Sequence, residues 1–180
     1  MRNGFLTLSL LLVAAAPLSA HSPYRQWYAY RKAHLVVVTD QMRPGALDLA
    51  SAVASAIAAR WPQTKAVPAA ARSPVEVVKL LSSGQLQVGL VPVAVAVEAL
   101  EGHGSFAQVG KVPLRAVAAV GEDLLVVLDG CARERARDIA QALAESRDSA
   151  LKAHKASLRG PAPLPFHPGA LDYYERAKSG

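Results

Sequence analysis

The chain has 180 residues, 52% of them hydrophobic and 19% charged, and a formal net charge of +6. That is ample apolar material for a buried core and argues against a disordered chain. A single cysteine, Cys131, excludes an internal disulfide, and the basic residues are scattered rather than interleaved with aromatics, so no platform for stacking nucleic-acid bases is expected.

Positions 1–20 read as a secretion signal. Arg2 and the α-amine supply a positive start, positions 5–15 form an apolar run, and Pro17, Ser19 and Ala20 follow. Cleavage after Ala20 would leave His21 as the first residue of a periplasmic protein. The run is too short to span a bilayer, and no later segment is long and apolar enough to do so. Residues 21–180 are then expected to form one domain.

Within it, "YRQWYAYRKA" reads as a helix whose Trp27, Tyr28 and Tyr30 are packing residues for a sheet. "HLVVVTD" (34–40) is a β-branched run and a buried strand. Leu47, Ala50, Val53, Ala54, Ile57 and Trp61 recur at helical spacing up to Pro62. "TKAVPA" is a second extended segment. In "SPVEVVKLLSSGQ", Ser73 is an N-cap, Pro74 opens the helix, Glu76 completes a capping box and Gly84 stops it; Val77, Val78 and Leu81 form the buried stripe. "LQVGLV" (86–91) is a third strand, and a helix runs from Pro92 to Gly102. Two further extended runs follow, "LRAVAAV" and "DLLVVLDG". One long helix is expected over 132–157, with Ala136, Ile139, Ala140 and Leu143 inward. After a proline-rich loop, His167 and Pro168 open a last helix. This β-α-β-α-β-α alternation with continuously apolar strands predicts an α/β protein. Its mainly parallel sheet is covered by helices on both faces, in three layers.

The segment "ALDLASAVASAIAARWPQTKAVPAAARSPVEVVKLLSSGQLQVGLVPVAVAVEALEG", the pair "VPLRAVAAVGEDLLVVL" and the phrase "FHPGALDYYER" stand in an order that resembles the TAXI-type periplasmic solute-binding proteins of TRAP transporters. The resemblance implies a fold like one lobe of a type II periplasmic binding protein. It also implies a role in uptake with a membrane transporter as partner. Members of that family have two lobes and a glycine-rich stretch after the first strand. Here the second lobe is missing, and "TDQMRPGALD" holds only Gly45. A hinge-closing clamp therefore cannot be carried over.

Ligands of open α/β sheets bind beyond the carboxyl ends of the strands. This marks Thr39, Asp40 and Gln41 after the first strand, and Arg72 and Ser73 after the second, as ligand-binding candidates. The helix starting at Ser73 offers backbone N–H groups to an anion, although its capping box already fills part of that role. A terminal His21 could offer amine and ring nitrogens to copper or another cation, with His34 and His103 as partners at the amino edge of the sheet and His154 and His167 as further candidates. Glu122, Asp123 and Asp129 are the nearest thing to a carboxylate cluster, but a strand separates them. No G-x-S-x-G, Walker A, H-E-x-x-H or dinucleotide motif occurs, and Cys131 has no motif around it, so no enzymatic turnover is expected. Three readings follow: an exported binding protein for a small solute or metal ion, a metal-handling protein built on His21, and an adaptor for a periplasmic partner protein.

Overall fold

A computed structural model describes residues 23–152 and 163–179. His21 and His154 lie outside the described residues, as does the whole of positions 1–20. The chain divides into two units, Met1–Lys32 and Ala33–Gly180. Residues 21–32, expected as part of the domain, group with the N-terminal unit, whose described part is residues 23–32 of the helix α1 (Pro23–Ala33).

In the larger unit the elements follow as β1 (Val36–Asp40), α2 (Ala46–Arg60), β2 (Val67–Ala71), α3 (Pro74–Ser82), β3 (Val88–Pro92), α4 (Val93–Glu101), β4 (Leu114–Val120), β5 (Asp123–Leu128), α5 (Arg133–Glu145), α6 (Ser149–Lys152) and α7 (Pro168–Ser179). The five strands form one sheet in the order β2-β1-β3-β5-β4. β1 pairs in parallel with both β2 and β3, whereas β5 runs antiparallel to β3 and to β4. Four strands therefore share one direction and only β5 opposes them. The expected α/β class, with a mainly parallel sheet between helical layers, is what the chain forms.

Successive residues of a strand point to opposite faces, so a strand covered on both sides must be apolar throughout. Val37, Val88, Leu90, Leu125 and Val127 enter one core with α2, α5 and α7. Val36, Val38, Val91, Leu124 and Val126 enter the other with α3 and α4. On α3, Val77, Val78 and Leu81 are fully buried, as their spacing predicts, and side chains of Val77 and Leu81 lie where a Cβ on Gly89 would stand. The small Gly89 thus lets the helix seat directly on β3. On α2, Leu47 is exposed and Ala46 is buried instead, which shifts the expected stripe by one residue at its start.

Two boundaries differ from the sequence reading. The second strand begins at Val67, after a 3₁₀ turn over Pro62–Thr64. The long helix expected over 132–157 ends at Glu145: Ser146 turns extended, its hydroxyl accepts from Asp148 N–H, and Asp148 caps Ala150 N–H at 2.8 Å. Local side-chain hydrogen bonds to the backbone outcompete helix continuation there.

The outer edge of β4 is closed by the returning chain. Ala116 N–H donates to Pro165 O at 3.0 Å and Ala116 O accepts from His167 N–H at 2.8 Å. Further along, Tyr174 on α7 donates its hydroxyl proton to Val117 O at 2.9 Å. On the opposite edge, Val67 N–H donates inward to Leu35 O, so the alternation of the strand turns position 68 outward; Pro68 there has no N–H to offer.

Candidate functional site

The site is built where the sheet changes direction. From β1 the chain crosses through α2 to β2 on one side, and from β2 it crosses back through α3 over β1 to β3 on the other. The connections leaving β1 and β3 at their carboxyl ends therefore diverge, which makes this the switch point of the sheet.

Asp40, the last residue of β1, is fully buried and organises the turn that follows it. Its Oδ1 accepts from Met42 N–H at 3.0 Å and from Arg43 N–H at 3.1 Å. Its Oδ2 accepts from Arg43 Nε at 2.9 Å and lies 2.8 Å from Arg43 Nη2. Gly45 then takes a left-handed conformation, φ 77°, to start α2. From the other side of β3, Asp123 at the start of β5 accepts from Arg43 Nη1 at 2.6 Å. The register that sets Pro92 opposite Asp123 puts this carboxylate beside the carboxyl end of β3. Arg43 thus ties the ends of β1 and β5 across the intervening β3. Thr39 adds a second tie, its hydroxyl donating to Leu90 O at 3.2 Å, and Val93 N–H donates to Glu122 O at 3.3 Å.

Burial pushes the Asp123 carboxyl above the ordinary carboxylate range, and the attraction of Arg43 offsets only part of that rise. Burial pulls the Arg43 guanidinium down, but its hydrogen bond to Asp40 and the charge of Asp123 outweigh this and hold it above its ordinary value. The cluster is a charge-paired floor in which Arg43 Nη2 is buried.

The predicted ligand residues divide around this floor. Thr39 and Asp40 are buried and committed to internal hydrogen bonds. Gln41 is exposed, its backbone held by Ala71 O. Ser73 caps α3, its hydroxyl accepting from Glu76 N–H at 3.2 Å. Glu76 reaches back past the cap to Arg72 N–H at 2.8 Å, one residue earlier than a standard capping box. The start of α3 is therefore occupied by its own side chains. The Arg72 side chain is exposed, with no hydrogen bond or ion pair among the described residues. Arg43 and Asp123 were not among the predicted ligand residues. An Asp-x-x-Arg turn directly after a strand was the local signal for the first; nothing local marks its pairing with a residue 80 positions away.

The metal candidates separate as follows. His34 is half-buried before β1, at the amino edge. His103 follows α4 with its Nε2 2.7 Å from Glu101 Oε2. Among the described residues no three His, Cys, Asp or Glu side chains gather as a metal group. Asp129 pairs with Arg115 at 2.6 Å, away from Asp123. His167 is buried and structural: Nδ1 accepts from Gly169 N–H at 3.1 Å, so Nε2 carries the proton that meets Cys131 O at 3.1 Å. Burial pushes the Cys131 thiol up, away from a reactive thiolate, with Arg135 opposing. Among the described residues no helix is long and apolar enough to cross a membrane.

No protein-family model matches the chain, and no curated protein matches it.

Proposed function

We propose that the chain is an exported binding protein, an accessory to uptake of a small solute that bears a carboxylate, with no turnover of its own. The observation that carries this reading is the charge-paired floor Asp40–Arg43–Asp123 at the switch point between β1 and β3, the place where open α/β sheets take ligands. Gln41 and Arg72, both exposed, follow the carboxyl ends of the neighbouring strands β1 and β2. Arg72 supplies an uncommitted guanidinium suited to a carboxylate, whereas Arg43 is already paired with two carboxylates. The resemblance to a TAXI-type first lobe supports the same role, a periplasmic location and a membrane transporter as partner.

The test is backbone NMR of the 15N-labelled chain, titrated with a panel of mono- and dicarboxylates, amino acids and divalent cations. Shifts confined to residues 39–43, 72–73, 92–93 and 122–123, and weakened in Arg72→Ala, support it. A panel that moves no resonance there, or that binds unchanged in Arg72→Ala, overturns it.

A second reading, a partner-binding adaptor, is favoured by one observation: Met42 and Leu47, 69% and 47% exposed, stand on the same rim. Large exposed apolar side chains at the carboxyl edge of a sheet suit a protein partner. In that case Met42→Ser abolishes capture of the partner and leaves solute shifts unchanged.

A further inference from the structure

We propose that α1 is a docking surface for a bilayer containing anionic phospholipid, lying in the headgroup layer with its aromatic side down. The helix carries Arg25, Arg31 and Lys32 and no acidic residue. Trp27, Tyr28 and Tyr30, expected from the sequence to be packing residues, are instead 36%, 48% and 41% exposed. Trp27 and Tyr30, three apart and so on one side of the helix, stack with centroids 5.8 Å apart and planes 13° from parallel. Arg31 Cζ lies 5.7 Å from the Trp27 centroid and 5.9 Å from that of Tyr28, and Lys32 Nζ lies 4.7 Å from the Tyr28 centroid. Lys32 and the half-buried Arg31 therefore lie against the rings.

The composition selects the occupant. A protein groove that takes a helix wants aliphatic anchors at i, i+3, i+4 and i+7, and α1 has only Ala29 and Ala33 as aliphatic residues. Trp and Tyr, apolar in body and polar at the tip, favour the membrane–water interface. Lys and Arg beside them are drawn to an anionic surface, each raising affinity about fivefold. A short, polar-edged helix of this kind binds reversibly and lies on the membrane. The inference stands apart from the ligand rim and does not depend on it.

The experiment uses the full chain carrying Trp61→Phe, which leaves Trp27 as the sole tryptophan. It is titrated with vesicles of mixed phosphatidylglycerol and phosphatidylcholine, and with phosphatidylcholine alone. Expected are a blue shift of Trp27 emission on the mixed vesicles only, its loss at high salt, and about 100-fold weaker partitioning after Arg25→Gln, Arg31→Gln and Lys32→Gln together. Tyr28→Ala with Tyr30→Ala, which keeps the charge, should also weaken partitioning severalfold. Equal binding to phosphatidylcholine, or undiminished binding of the charge-neutralised variant, overturns the proposal and moves attachment elsewhere in the chain. A Trp27 emission that no vesicle shifts overturns it in favour of a protein partner.

Discussion

Arg43 holds two carboxylates that come from opposite sides of β3, and its removal leaves the fully buried Asp40 with only backbone donors. Hydrogen bonds to charged groups contribute about 1.5–3 kcal/mol each, and the Arg43 side chain is one-third exposed, so Arg43→Ala should destabilise by about 2 kcal/mol in urea denaturation. An unchanged midpoint would make the cluster ornamental. Asp123 gives a pH signature. Because folding raises its pKa, its stabilising contribution is complete below the ordinary carboxylate range and is lost as pH rises through the raised folded value. The unfolding free energy of the native chain, taken relative to Asp123→Asn, should therefore fall with rising pH across that window. A difference that grows with pH would mean the attraction of Arg43 outweighs burial. At this scale the sequence was half legible. Asp40 stood out as a polar residue ending an apolar strand, but its partner in β5 could not be paired with it, because only the strand order brings them together.

The elements were the most legible part, since each carries its own signals: Ser73 and Pro74 at the start of α3, Gly84 and Gly102 at helix ends, β-branched runs in the strands. The failure at Glu145 has the same local origin, because helical spacing persists in the sequence beyond a point where Ser146 and Asp148 cap a new start. Two predictions belong here. Pro68 denies the exposed edge of β2 an outward donor, so Pro68→Val should raise the aggregation rate by light scattering with little change in the unfolding midpoint. A Cβ on Gly169 would overlap the Arg133 carbonyl oxygen, where α7 crosses the start of α5 and Arg133 grips Asp172 through paired hydrogen bonds of 2.5 and 2.6 Å. Gly169→Ala should cost about 2 kcal/mol or more in thermal or chemical unfolding. Full stability in that variant would show that the two helices can separate freely.

At the scale of the whole molecule, the α/β class followed from the alternation of elements, but the insertion of β5 between β3 and β4 did not. Adjacent strands in sequence could have paired in several orders, and long-range packing chose among them. The proposed export makes its own prediction: mass analysis of the protein recovered from the periplasm should place the first residue at or within a few positions of His21, and an intact Met1 would refute the leader reading. The seal on β4 has a further consequence. Pro165 and His167 complete the edge of a sheet whose other strands were all made earlier, and Ala170 and Tyr174 fill its core. While a ribosome is still adding those residues, the sheet lacks its border and one wall of its interior. A chain that stops short of Pro165 should therefore stay pliable, the condition in which a polypeptide can be threaded through a narrow channel.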